Sequence, residues 1–156
     1  MKFRTGGQAG VDRAVLDFCL ENQLEVGGWC PACRMAEDGT IPTHYPLDEL
    51  EGADYDERTE ANVRDSDGSL ILHLGSISGG TQFTVECCSK LCKPSLSVNL
   101  KFGNYEAIIG EVIKFMEEEK IKELNIAGPR ASEESEAYDE TRIFLQFFLS
   151  ALRKRK

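Results

Sequence analysis

The chain has 156 residues, 41% apolar and 29% charged, with 18 basic against 27 acidic side chains for a net charge of −9. This length fits one domain that buries about 68–70% of its unfolded surface and needs neither disulfide nor metal as a staple. The negative field argues against any nucleic-acid polymer as partner, and no apolar run reaches the roughly 18 residues a membrane span requires.

Met1-Lys2-Phe3-Arg4 runs straight into a glycine pair without a secretory signal, so the six cysteines are expected as reduced thiols of a cytoplasmic protein. Residues 2–5 read as an opening strand. Val11, Ala14, Val15 and Phe18 follow as the stripe of an amphipathic helix. Residues 27–52 hold three of the five prolines and no clean period. They read as a long, ordered, functional loop, with a short strand near residues 24–26. Residues 53–64 form a polar helix, a lid or surface element. SLILHL (69–74) is an unbroken apolar run, as in a strand buried on both faces. A helix then carries Phe83, Cys87 and Leu91, with Cys88 and Cys92 beside them, and Pro94 closes it. SLSVNL (95–100) is another strand. Ile108, Ile109, Val112, Ile113 and Met116 mark a helix over 105–119, ELNIAG (123–128) a fifth strand, and 137–152 a final helix. The tail Arg153-Lys154-Arg155-Lys156 reads as cations complementing that helix's dipole.

Strands alternating with helices predict an α/β, Rossmann-like three-layer sandwich over 1–156, with a mostly parallel sheet of about five strands and helices on both faces. In such sheets ligands bind beyond the carboxyl ends of the strands. Three glycine-bearing turns, TGGQAG, GSISGG and AGPRAS, fall at that edge. Gly6, Gly7, Gln8 and Gly10 read either as an anion cradle or as plain strand-to-helix turn chemistry, and so do Ser78, Gly79, Gly80 and Thr81. Glycine lets a ligand approach the backbone, and a helix start offers unpaired N–H groups and positive potential. Neither turn fits the P-loop or the dinucleotide fingerprint. Thr81 is a candidate cap whose hydroxyl could turn to a phosphate.

Arg64 ends the polar helix just before the central strand. It reads as a phosphate ligand near the same edge or as a surface pair with Asp65 or Asp67. Glu86 reads as a dipole partner, a ribose acceptor or a general base. Arg13 opposes the dipole of the first helix, which points to a binding role or to an ion pair. Arg130 follows the fifth strand, and Ser132 caps the last helix. Cys30 and Cys33 read as unrelated thiols, as a redox pair or as half of a metal site, but His44 and His73 are too few to complete one and Cys87, Cys88 and Cys92 lie on a helix; no metal is assigned. Trp29 serves to stack on a base or to pack the loop.

Taken together, TGGQAGVDRA, GGWCPACRMAEDGTIP, RTEANVRDSDGSLIL, SGGT and NIAGPRAS resemble the molybdenum cofactor carrier proteins. That Rossmann-like family belongs to the superfamily of lysine-decarboxylase-like, Lonely Guy and DprA-type nucleotide-binding folds. The resemblance implies a cytosolic homo-oligomer carrying molybdenum cofactor, a nucleotide or another phosphorylated small molecule at the sheet edge. Phe144, Phe147 and Phe148 are apolar enough to cover a partner copy as well as a core. The first loop departs from the family in having Ala9 where a hydroxyl residue is usual. In the Lonely Guy relatives a glycine-rich turn precedes a glutamate that serves ribosyl-bond hydrolysis. Gly79, Gly80, Thr81 and Glu86 follow that outline, with Arg64 as the arginine. The alternative function implied is therefore a nucleoside-monophosphate N-glycosidase using Arg64 and Glu86.

Overall fold

A computed structural model describes residues 1–155; Lys156, the last residue of the basic tail, lies outside them. In chain order the elements are β1 (Lys2–Arg4), α1 (Val11–Glu21), β2 (Val26–Gly27), β3 (Trp29–Cys30), β4 (Met35–Ala36), β5 (Gly39–Thr40), β6 (Asp48–Glu49), α2 (Tyr55–Arg64), β7 (Gly68–His73), α3 (Gly79–Lys90), β8 (Ser95–Asn99), α4 (Tyr105–Glu118), β9 (Glu123–Ala127) and α5 (Ala137–Lys154). The central sheet has five strands in the order β2-β1-β9-β7-β8, every neighbouring pair parallel. The fold is the α/β, Rossmann-like one expected.

Alternation along the strands assigns the two faces. Leu70 and Leu72 of β7 and Leu124 and Ile126 of β9 join the main core, together with Val15 and Phe18 of α1, Val112 and Ile113 of α4, and Phe144 and Phe148 of α5. The intervening residues turn the other way, where the Ser69 hydroxyl accepts from Asn125 Nδ2 at 3.0 Å and α3 lies above. Val63 of α2 packs there with Cys87 and Cys88 of α3. All six cysteines are free, and Cys92 falls past the end of α3 with φ +52°, exposed. Of the three phenylalanines of α5, Phe144 and Phe148 are inside with ring centroids 5.7 Å apart, whereas Phe147 is 53% exposed and stacks on Tyr105.

The 27–52 stretch is more structured than its composition predicts. Trp29 and Cys30 pair in parallel with Asp48 and Glu49, and Met35–Ala36 forms a small hairpin with Gly39–Thr40. Arg34 organises it, donating to the carbonyls of Ile41 (2.9 Å), Leu47 (2.9 Å), Pro42 (2.9 Å) and Tyr45 (3.0 Å). The Tyr45 hydroxyl donates to Asp17 of α1 at 2.6 Å. Burial, and then that carboxylate, push the Tyr45 phenol up to about 12.

Asp67 joins the entry of β7 to that of β9, its carboxylate accepting from the amides of Lys122 and Glu123, each at 2.8 Å. Those backbone bonds, the Glu123 one first, hold its carboxyl below its ordinary value. A depressed folded-state pKa stabilises above the unfolded value, and that contribution disappears as pH falls through the folded one. Asp67→Ala is expected to lose about 1 kcal/mol at pH 7, discounted for exposure. Urea denaturation should show the gap from wild type closing as pH drops below about 4. A gap that stays constant with pH would refute this account of Asp67.

Candidate functional site

In the sheet, β9 lies between β1 and β7, so the turns leaving these three strands stand side by side at their carboxyl edge. Chain leaving β1 passes to the α1 face and chain leaving β7 to the α3 face, which opens a crevice between them. The first and third turns are stitched together. Gly10 forms an antiparallel bridge with Arg130, Ala131 N donates to Ala9 O at 2.9 Å, and Val11 N donates to Pro129 O at 3.3 Å. Gly10 takes φ +112°, and a Cβ there would stand 2.6 Å from Pro129 O, so the close backbone approach requires glycine. Gly7 takes φ +82° with Leu47 and Ile41 against its bare face. These two glycines therefore serve packing rather than lining the crevice.

The crevice itself is lined by Gly6 and Gln8 from the first turn, by Asp12 of α1, by Arg58 and Asn62 of α2, by Gly80, Thr81 and Thr84 of α3, and by Asn125, Arg130 and Glu133 around β9. Arg58 crosses it. Its guanidinium lies so close over Gly6 that a Cβ there would overlap it, and its Nη1 donates to Asp12 Oδ2 at 3.1 Å. The guanidinium of Arg130 stands 5.3 Å from the Tyr55 ring centroid, and that of Arg58 stands 5.9 Å from the same ring. Two cations thus share one aromatic platform at the start of α2.

Three side chains of this lining carry a buried polar atom with no hydrogen-bond partner: Thr81 Oγ1, Gln8 Nε2 and Arg58 Nε. Thr81 is 3% exposed and Gln8 7%. Leaving such groups unpaired costs roughly 1–3 kcal/mol each, so their convergence on one cleft marks a place where water or a ligand supplies the partners. The α3 N-terminus adds to this. Ser78 caps it without a side-chain hydrogen bond, and its first turn carries no acid. No hydrogen bond from the amides of Gly79, Gly80 or Thr81 to a protein acceptor is found among the described residues. The donors are all of the kind that hold an oxyanion. As it stands the cleft has a volume of ≈ 40 Å³, room for a few waters.

Of the residues singled out from sequence, Gly6, Gln8, Gly80, Thr81 and Arg130 meet in this cleft. Ser78 lines an adjoining recess of ≈ 190 Å³ with His73, Ser76, Thr81, Glu133 and Glu134. Gly79 begins α3 beneath the Glu133 carboxylate. Arg13 is engaged elsewhere, donating to Gly7 O at 3.1 Å and to Asp38, with Tyr45 beneath it. Ser132 donates to Glu37 instead of capping α5, whose N-cap residue is Glu136.

Arg64 and Glu86 fall outside the cleft. Because α2 leads into β7, its last residue lies at the amino end of that strand, the edge opposite the three turns. There Arg64 Nε donates to Asp65 at 2.7 Å; the bond raises the guanidinium pKa and lowers that of the carboxyl. Glu86 sits about two turns into α3 and is exposed. Thr81, Thr84, Cys87 and Cys88 are that helix's buried residues, and the Glu86 carboxylate accepts from Gln82 Nε2 at 3.1 Å. No ion pair joins Arg64 to Glu86 among the described residues.

Cys30 is buried, which raises its thiol pKa, and Cys33 is exposed at φ +58°; among the described residues no cluster of three or more His, Cys, Asp or Glu is set to hold a metal ion. The Trp29 indole donates to Asp65 at 2.7 Å, and its backbone is clamped at N and O by Asn62 at 2.8 and 2.9 Å.

Sequence reading passed over Arg58, Asn62, Asn125 and Glu133, and weighed Asp12 only beside Arg13. A signal for the first existed: Tyr55, Arg58 and Asn62 recur at three and four, one face of α2. That face is buried, with Arg58 9% exposed, so α2 is an inward-facing helix rather than a surface lid.

No curated protein matches the chain. A solved structure described as a "Putative molybdenum carrier protein" from Syntrophus aciditrophicus is 40% identical, superposes with a TM-score of 0.92, and is matched over 95% of this chain and 94% of its own. The model of the circularly permutated YpsA SLOG family matches residues 3–149. No described helix is long and apolar enough to cross a membrane. By that match, which spans nearly all of its length, the chain belongs to the circularly permutated YpsA SLOG family.

Proposed function

We propose that the protein is a carrier-type binder of a phosphate-bearing small molecule, molybdopterin- or nucleotide-like, whose anionic group is held where the first and second glycine turns meet. What supports the reading above all is the trio of buried, unpartnered donors, Thr81 Oγ1, Gln8 Nε2 and Arg58 Nε, on one cleft beside the open α3 N-terminus. Arg58 and Arg130 supply the charge, and the amides of Gly79, Gly80 and Thr81 supply directional bonds. The printed description of the 40% identical structure, a molybdenum carrier, agrees with a binding role. The reading takes the protein as a homo-oligomer, with Phe147 and Ile143 as exposed apolar residues of α5 left for a second copy.

The test is Thr81→Val with calorimetry against inorganic phosphate, nucleoside monophosphates and isolated molybdenum cofactor. Thr81 Oγ1 bonds nothing in the protein, so valine is expected to leave stability unchanged or slightly higher while weakening anion binding about tenfold. Heat from none of these ligands with folded wild-type protein would refute the reading. Equal binding by wild type and variant would remove Thr81 from the site.

A further inference from the structure

The cleft already contains an anion of its own. Glu133, in the turn between β9 and α5, places Oε1 2.6 Å from where a Cβ on Gly79 would stand, which sets the carboxylate against the first residue of α3. Around it the bonds are slack. Oε2 accepts from Arg130 N at 3.4 Å, Oε1 stands 3.9 Å from Arg130 Nε, and no hydrogen bond to the α3 amides is found among the described residues. The carboxylate is therefore held by positive potential from the helix end and Arg130 rather than by fitted bonds. Glu133 also walls the cleft off from the recess lined by His73, Ser76, Ser78 and Glu134, since it and Thr81 line both. With the walls as they stand the cleft holds ≈ 40 Å³, far below the roughly 300 Å³ of a small-molecule pocket.

We propose that Glu133 is the resident occupant of the anion seat, a tethered carboxylate that an incoming oxyanion must displace. The inference rests on the reading of the cleft as an anion site. Turning Glu133 outward opens the seat at Gly79 and removes part of the wall between cleft and recess, so one movement admits both the charge and the body of a guest. Because the tether keeps the carboxylate at the seat, apparent affinity falls in proportion to the time the seat is filled. Glu133 thereby sets a threshold that weak or dilute anions do not pass.

Inorganic phosphate, titrated calorimetrically into the intact protein at constant ionic strength, tests this with three variants. Glu133→Gln removes the charge. Glu133→Asp keeps the charge on an arm one methylene shorter, which no longer reaches Gly79. Glu136→Gln, three residues past the cleft lining, controls for net charge. Glu133→Gln and Glu133→Asp are both expected to bind phosphate about tenfold tighter than wild type, with Glu136→Gln unchanged. Binding of phosphate by the two Glu133 variants alone, with none by a wild type that still binds a nucleoside monophosphate or the cofactor, would be the stronger form of the same result. Tightening by Glu133→Gln but not Glu133→Asp would reduce Glu133 to through-space repulsion and overturn displacement. So would unchanged or weaker binding by Glu133→Gln. Those results leave the anion site standing, whereas binding by neither wild type nor any variant removes site and displacement together.

Discussion

Arg58→Met is expected to weaken binding of a phosphorylated ligand roughly 100-fold and to lower stability by about 3 kcal/mol. The two losses have separate causes. Binding falls because the guanidinium over Gly6 is the most enclosed positive charge lining the cleft. Stability falls because Asp12 is 5% exposed and loses its ion-pair partner, keeping only the Gln8 amide at 3.2 Å and the positive end of α1. A double-mutant cycle separates them. Asp12→Asn placed on Arg58→Met should recover much of the stability without recovering binding. Urea denaturation and calorimetry read the two quantities independently. Full binding by a folded Arg58→Met protein would take the arginine out of the site.

The largest effect on stability alone is expected at Phe144. Its ring is fully buried, stacked on Phe148, in the core that α5 forms with α1, α4 and the sheet. Phe144→Ala should lose about 3–5 kcal/mol, the transfer term plus the cavity left between elements that cannot collapse onto it. The neighbouring Phe147→Ala, from an exposed ring, should lose far less. Thermal and urea unfolding of the two variants side by side checks the contrast. Comparable losses would mean that Phe147 is covered in solution.

The two predictions bear on how far sequence carries. β7 was legible because burial on both faces leaves an unbroken apolar run, and α4 and α5 were legible because each buries one stripe. The glycine turns were legible because the backbone approaches there exclude a side chain. Arg64 was the misleading residue. Its nearness in sequence to the central strand put it beside the edge of the three turns, whereas a helix leading into a strand must deliver its last residue to the other end. The arginine at the carboxyl edge, Arg58, was hidden in a helix polar enough to pass for surface, because its burial is offset by Asp12, 46 residues away. Glu133 was illegible for a related reason: nothing local says that an acidic turn residue reaches the start of α3. The 27–52 stretch lacked a period because one side chain, Arg34, gathers carbonyls from four positions, and that geometry leaves no mark on hydrophobic pattern.

The contact of Ile41 and Leu47 with Gly7 has an evolutionary corollary. The floor under the first turn is built by an excursion that contributes no group to the chemistry, and a single guanidinium chelates that excursion into shape. Insertions or replacements there would tilt the turn, and with it the Gln8 amide group, while every charge-bearing residue stayed constant. On the proposed reading, relatives drift in guest preference through their scaffolding long before their binding groups change.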